Sequence, residues 1–289
     1  LEAGNNLTIA NNATLLAPGD WSVTLEAGRD FATRDGLKPG VGSITFSGTG
    51  SLQAERGDVT LRAGNHVTVN SGFVRTTGGG GIDVTAIAGT INTGSKAAGF
   101  RFLPTGYAVD PDLGGISTAA GGNVSLTAGT DVLSYLPVAG GVQSDAGSGA
   151  FGEAPGNVSI TAGRDVAGHF VLRHGAGTIE AGRNAGTGSR LLALSLVDGG
   201  WSVQAAADIL LQEVRNPNGI FNNLGFGNAP TRHGFDYAPD AFVQLSAGNA
   251  VELRGTALPR YSDAFEQGIT PIYPGRLDIA AGAGGISLG

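Results

Sequence analysis

Residues 156–166 read GNVSITAGRDV, and near copies of this stretch recur along the chain. Residues 23–31 read VTLEAGRDF, 59–67 read VTLRAGNHV, 124–132 read VSLTAGTDV and 243–251 read VQLSAGNAV. Repetition with a period of about 20–50 residues is typical of solenoids and other repeat architectures. Within each copy, apolar residues alternate with Thr, Ser or Gln, which is the period of a strand with one buried face. The repeat therefore predicts short strands separated by glycine corners.

Nine copies align on the glycine that follows the first strand. In eight of them a large aliphatic residue stands three positions earlier; these are Leu1, Leu25, Leu61, Leu126, Ile160, Ile179, Leu245 and Ile279, with Ala86 as the exception. In six, a large apolar residue stands three positions later; these are Leu7, Phe31, Val67, Val132, Val166 and Val251. Both sets are predicted to face one continuous core, with the coils stacked in parallel.

The Ala-Gly-x-Asp/Asn stretch after each strand predicts a sharp corner. Glycine adopts backbone angles that a Cβ would oppose, and Asp or Asn can bond the amides of its own turn. The predicted corner residues are Gly28, Asp30, Gly64, Asn65, Gly129, Asp131, Gly163, Asp165, Gly248 and Asn249. Asp58, Asn123 and Asn157, each after a glycine, mark a second corner at which the chain enters the strand.

Composition limits the alternatives. Gly is 51 of 289 residues, far above the usual share of roughly 7 %, and each would cost a helix about 1 kcal/mol. Gly is not at every third position and no apolar run reaches the roughly 18 residues of a membrane span, which excludes collagen and a membrane-spanning helix. We expect one all-β parallel β-helix over 1–289, with about eleven coils and a length of roughly 50 Å.

Net charge and cysteine content exclude several classes of binding partner and of chemistry. The formal net charge is −7 and Lys and Arg do not cluster, so nucleic acid and anionic membranes are poor partners. Cysteine is absent, which excludes disulfides, Cys-ligated metals and thiol nucleophiles. Because the chain has no initiator Met and its last residues still follow the repeat pattern, we expect it to be a segment of a larger protein.

The repeat at 156–166 and its copies resemble the shaft repeats of filamentous haemagglutinin-like exoproteins, the large secreted partners of two-partner secretion systems. The resemblance covers most of the chain outside its insertions. It implies a right-handed parallel β-helix, export through an outer-membrane β-barrel transporter, and a role in adhesion or biofilm formation at the bacterial cell surface. Residues 216–219, NPNG, also resemble a motif of that family's secretion domain, but their position favours an ordinary β-turn.

Several motifs suggest chemistry, and each has a structural explanation. The Arg56-Gly57-Asp58 tripeptide matches an integrin-recognition sequence, but it occupies a repeat corner. Residues 78–85, GGGGIDVT, match part of a calcium-binding nonapeptide, whose sites need tandem copies. Neither motif therefore predicts a binding site.

Acids and histidines are the candidates for catalytic or metal-binding groups. The repeated acids Asp30, Asp131, Asp165 and Asp208 resemble a carboxylate ladder, but Asn65, Asn184 and Asn249 are placed in the same slot, which indicates a turn requirement. His169 and His174 are five apart, on opposite faces of one strand, without a third ligand at metal-site spacing. The sequence does not exclude a Ser-His-Asp triad, although no nucleophile-elbow motif occurs. We expect no enzyme activity, no metal and no cofactor.

Three insertions interrupt the repeat, near 98–115, 215–240 and 258–275. They hold 10 of the 19 aromatic residues and 8 of the 12 prolines. Insertions of solenoids lie on one side and often form the binding face. We therefore predict contacts with a glycan or protein partner, or packing on the rod, for Phe100, Phe102, Tyr107, Phe221, Phe226, Phe235, Tyr237, Tyr261, Phe265 and Tyr273.

Three functions remain open. The first is a structural adhesin shaft that contacts a protein or glycan of a host or sister cell. The second is a polysaccharide-active β-helix lyase or hydrolase. The third is a matrix protein whose rods self-associate end to end, because exposed coil edges invite strand pairing.

Overall fold

A computed structural model describes residues 1–33, 36–103, 106–137, 146–217, 237–254 and 273–289, with the backbone alone at 102–103 and 106–107. The described residues form strands and turns and contain no helix. The first strands are β1 (Glu2–Ala3), β2 (Leu7–Ile9), β3 (Thr14–Ala17), β4 (Val23–Ala27), β5 (Ile44–Phe46), β6 (Ser51–Ala54), β7 (Val59–Ala63), β8 (Val67–Val69), β9 (Phe73–Thr76), β10 (Ile82–Ala86), β11 (Ile91–Asn92), β12 (Phe100–Leu103) and β13 (Gly106–Val109). The others are β14 (Gly115–Thr118), β15 (Val124–Ala128), β16 (Val132–Leu133), β17 (Ser148–Ala150), β18 (Val158–Ala162), β19 (Val166–Ala181), β20 (Leu192–Ala205), β21 (Ile209–Arg215), β22 (Phe242–Ala247), β23 (Ala250–Leu253), β24 (Arg276–Ala281) and β25 (Gly285–Leu288).

The strands stack as coils of a parallel β-helix. One column of parallel pairs runs β1, β4, β7, β10, β15, β18, β19, β20, β22 and β24, which gives ten coils in the described residues against the eleven expected. Two further columns begin at β2 and β3 and follow the same order of coils. Twelve of the parallel strands curl through about 302° around a common axis. The predicted fold class is confirmed, and right-handedness stays an expectation from the resemblance.

The register places the predicted aliphatic residues in the core. Leu25, Leu61, Leu126, Ile160 and Leu245 are all at most 1 % exposed. One cluster of buried residues extends from Ala17 to Leu253, so a single core joins the coils. The outward positions carry Thr, Ser, Gln, Glu and Asp, as the alternation predicted.

Two of the predicted core positions are wrong. Leu1 is 72 % exposed, because it precedes the edge strand β1. Phe31 is 58 % exposed, because an excursion between β4 and β5 carries it outward; Ile44 takes the inward place and pairs with Leu7 and Val67. The register of β10 explains the exception Ala86. Ala86 pairs with Ala63, and Val84 pairs with Leu61 at the inward position, so this copy of the repeat is offset by two residues from the alignment on Gly89.

In the column that contains β18, β19 and β20, a very small inward residue on one coil lies next to a very large one on the following coil. Val158, Gly177, Trp201 and Val243 pair in succession at one inward position. The Trp201 indole is fully buried, and a Cβ on Gly177 would lie 2.3 Å from its Cε3. Gly177 stands where several other copies of the repeat have valine, and it makes room for the tryptophan of the next coil.

The insertion near 98–115 contains an antiparallel hairpin of β12 and β13, which is separate from the parallel strands of the β-helix. In the other two insertions, residues 218–236 and 258–272 lie outside the described residues. No helix long and apolar enough to cross a membrane occurs in the described part of the chain.

Candidate functional site

The structure describes the side chains of three of the predicted aromatic contact residues, Phe100, Tyr237 and Tyr273. Phe100 of β12 is 1 % exposed, and its ring lies 5.0 Å from the ring of Phe151. Leu113 and Val171 complete this small cluster, which is separate from the main core. A buried ring is not free to contact a partner, so Phe100 packs on the rod and is removed from the predicted contact surface.

Two other predicted aromatics also pack inward. Tyr237 lies half-buried against the main core, and its hydroxyl donates to the Val214 carbonyl at 3.2 Å. Tyr273 packs on the same core; burial, with the nearby negative charge of Glu213, raises the pKa of its hydroxyl to about 12. The side chains of Phe102 and Tyr107 lie outside the described residues, as do Phe221, Phe226, Phe235, Tyr261 and Phe265.

The corner glycines allow neighbouring coils to approach closely. A Cβ on Gly163 would lie 2.2 Å from the Gly129 carbonyl oxygen, and one on Gly129 would lie 2.3 Å from that of Ile87. Gly64 and Gly248 are equally close to carbonyls of adjacent segments, at 2.0 and 2.1 Å. Among the five predicted corner glycines only Gly28 has a positive φ, +89°. The usual reason for glycine here is therefore coil-to-coil contact and not an unusual backbone angle.

The polar residue of this corner bonds the next coil. Asp131 Oδ1 accepts the N–H of Asp165 at 3.2 Å, and Asp165 Oδ1 accepts that of Asn184 at 3.1 Å. Asn184 Oδ1 in turn accepts the N–H of Asp208 at 3.3 Å. The same side-chain-to-backbone bond joins Asn6 to Ser43, Ser43 to His66, His66 to Thr90, and Asp208 to Ala250. We call this series the corner ladder.

The corner ladder corrects two predictions. Asn65 and Asn249 do not share the slot of Asp131; they precede it by one residue, and His66 and Ala250 occupy it, as the strand pairing shows. Bonds to a residue's own turn were predicted, and only Asp30 makes them among the corner acids, accepting the N–H groups of Ala32 and Thr33. A hydrogen bond from Lys38 is the main cause that lowers the Asp30 pKa to about 2.

Two ladder carboxylates also bind arginines of the following coil. Arg164 donates to Asp131 through Nε at 2.7 Å and through Nη2, and Arg183 binds Asp165 in the same two-pronged way, with Nε at 2.8 Å. The Arg183 bond is the main cause that lowers the pKa of Asp165, against an opposing effect of burial. These carboxylates are thus committed to structural contacts.

The second corner has a similar ladder. Ser22 Oγ accepts the N–H of Asp58 at 2.9 Å, and Asp58 Oδ1 accepts that of Gly81 at 2.8 Å. Asn123 and Asn157 accept the N–H groups of Asn157 and Ala176. A Cβ on Gly57 would lie 2.1 Å from the Trp21 carbonyl oxygen, and Arg56 is bound to Asp20. The Arg56-Gly57-Asp58 tripeptide therefore forms a tight corner.

Between β19 and β20, the structure brings together a buried pair that the sequence did not predict. His169 Nδ1 lies 2.8 Å from the Ala146 carbonyl oxygen, and Nε2 lies 2.8 Å from Ser195 Oγ. A carbonyl oxygen only accepts, so Nδ1 carries the proton and Nε2 accepts from the Ser195 hydroxyl. Both residues are fully buried, and the hydroxyl is not reachable from solvent. Ser195 lies in an apolar strand, LLALSLV (191–197), which was the available signal.

A fully buried ion pair lies near Ser195, with Glu213 Oε1 3.1 Å from Arg215 Nε. Strand pairing places Arg215 beside Ser195 and Glu213 beside Ala193. A buried pair of this kind is costly to break, because each charge alone would remain desolvated. Both residues of this ion pair belong to β21, two positions apart.

A surface groove of about 590 Å³ opens at the corner between the second and third columns of strands. Its polar lining comes from successive coils: Asn70, Ser71, Asn92, Ser95, Tyr135 and Arg190. Burial raises the pKa of the Tyr135 hydroxyl. Among the described residues, no group of three His, Cys, Asp or Glu side chains is arranged to hold a metal ion.

The geometry defines a parallel β-helix in which polar ladders join the corners of successive coils. No family model, curated protein or solved structure matches this chain.

Proposed function

We propose that this chain is a structural shaft segment of a secreted, bacterial cell-surface adhesin of the filamentous haemagglutinin type. The observation that carries the proposal is the corner ladder, which links successive coils from Asn6 to Thr90 and again from Asp131 to Ala250. Repeats bonded in this manner suit an extended spacer, because each coil depends only on its neighbours.

Export through an outer-membrane β-barrel transporter is consistent with two features of the chain. It has no cysteine, so it needs no oxidation step to fold after crossing a pore. Each coil can add to the coil before it as the chain emerges, because solenoid folding can propagate from repeat to repeat. Its partners at the surface are a protein or glycan of a host or sister cell, with self-association of rods as a route to biofilm.

Adhesion of coated beads tests this proposal. Beads that carry the purified chain are expected to attach to epithelial cells, to biofilm matrix or to each other. Beads coated with Leu126→Asp, which places a charge in the core, should lose attachment. Failure of the wild-type beads on all three surfaces would contradict the adhesive role. Release of unsaturated or reducing ends from uronans by the chain would instead support the polysaccharide-active enzyme.

A further inference from the structure

The groove near Arg190 carries polar groups that the fold does not use. Arg190 donates through Nη1 to the Ser134 carbonyl at 3.3 Å, and its Nε and Nη2 make no hydrogen bond to the described residues. The side chains of Asn70 and Tyr135 likewise make none within the described part of the chain. Unused donors and acceptors that converge on one groove are typical of a ligand site.

Arg190 differs from most of the other arginines because it has no carboxylate partner among the described residues. Arg164 and Arg183 bind ladder carboxylates, and Arg173 and Arg276 bind Glu153 and Asp278. No carboxylate of the described residues lies within 4.0 Å of Arg190. The Arg190 guanidinium therefore has no carboxylate partner among the described residues, in a chain whose net charge is −7. Its paired N–H donors match the two oxygens of a carboxylate.

The remaining lining suits a sugar. Asn70 and Asn92 stand on neighbouring coils, which are roughly 4.8 Å apart, so both can meet hydroxyl groups of one extended chain. The Tyr135 ring offers an apolar face beside them. The volume of about 590 Å³ is within the roughly 300–1,000 Å³ of small-ligand sites.

A smaller hollow of about 370 Å³ adjoins the groove at Ser189 and Arg190 and contains Asp131 and Asp165. These acids would repel an anionic ligand if they were bare. Arg164 and Arg183 neutralise them, so the local field at Arg190 is not dominated by negative charge.

From this geometry we propose that the groove binds a uronic-acid-containing oligosaccharide, with the sugar carboxylate on Arg190 and a sugar ring against Tyr135. This inference goes beyond the shaft proposal, because the ligand class is assigned from the lining of the groove. Its test uses the soluble chain alone, so its failure would leave the bead result unaffected.

Calorimetric titration with hexagalacturonate, maltohexaose and hexaglutamate tests the assignment. We expect hexagalacturonate to bind the wild-type chain about tenfold more tightly than maltohexaose, which has no carboxylate for Arg190, and about tenfold more tightly than hexaglutamate, which has no sugar ring for Tyr135. Arg190→Gln should remove that preference, and Tyr135→Ala should weaken hexagalacturonate about tenfold. Arg276→Gln, which removes the same charge from an exposed site elsewhere, should stay within about twofold.

Three results would overturn the assignment. One is the absence of hexagalacturonate binding up to about 10 mM. Another is equal weakening by Arg190→Gln and Arg276→Gln, which would indicate only general charge attraction. The third is equally tight binding of hexaglutamate, which would point to an acidic peptide. Because Arg190 is exposed, unchanged circular-dichroism melts of its variant can verify that the fold is intact.

Discussion

Trp201→Val and Gly177→Val should each destabilise the chain, and the double variant should recover much of the loss. Trp201→Val leaves a cavity and breaks the bond from the indole Nε1 to the Ser195 carbonyl, at a cost of about 3 kcal/mol. Gly177→Val drives a side chain into the indole, at a cost of about 1–3 kcal/mol. Together they place four valines in one column, from Val158 to Val243.

Urea unfolding of the four proteins measures this coupling. We expect the double variant to lose less than the sum of the single losses by about 1–3 kcal/mol. The control combines Trp201→Val with Val59→Ala, a buried change several coils away, and these two should add within about 0.5 kcal/mol. Additive losses for Gly177→Val and Trp201→Val would show that these residues do not share one space.

Asp165→Ala should lower the free energy of unfolding by about 2–3 kcal/mol, because it removes the acceptor for Arg183 and for the Asn184 N–H. Asp165→Asn keeps a carbonyl oxygen for the N–H and should lose about half as much. Asp208→Asn is the matched control in the same ladder: Asp208 accepts from the side chain of Asn249 and the Ala250 N–H, and an amide oxygen can do the same. Its loss should stay below about 1 kcal/mol.

The effect of Asp165 should depend on pH. The pKa of this carboxyl is lower in the folded chain than its ordinary value near 3.8, chiefly through the Arg183 bond. Its contribution is therefore present above the unfolded pKa and is lost as pH falls through the folded pKa. The stability gap between wild type and Asp165→Asn should shrink between pH 7 and pH 2 in urea titrations. A gap that stays constant over this range would contradict the ion pair.

The alternation of apolar and polar residues was enough to predict the stacked strands. VTLRA, VSLTA and VSITA each bury their first and third residues, and the register pairs them without a shift. The pattern failed where the chain leaves the coil, as at Phe31, because a local alignment cannot show that Ile44 resumes the strand. It also misplaced Asn65 and Asn249 by one residue, because Gly-Asn and Gly-Arg-Asp look interchangeable until strand pairing fixes the slot.

The groove and the buried polar pair could not be predicted in the same way. Asn70, Tyr135 and Arg190 are separated by 55 residues or more from one to the next along the chain, and only the stacking of coils brings them together. His169 is a visible candidate in the sequence, but its partner Ser195 belongs to the next coil. The aromatic content of the insertions was visible, whereas burial of Phe100 depends on Phe151 and Val171 from other coils.

Cysteine cross-linking tests the stacked arrangement most directly, because the natural chain has no cysteine. Ser125 and Ser159 face outward and pair in register on adjacent coils, where a Cα separation of roughly 4.8 Å permits a disulfide. Ser125→Cys with Ser159→Cys should oxidise readily, while Ser125→Cys with Gln244→Cys, four coils or roughly 19 Å apart, should stay reduced. Free thiols in the first pair, in a chain that keeps its β-type circular-dichroism spectrum, would contradict the parallel β-helix.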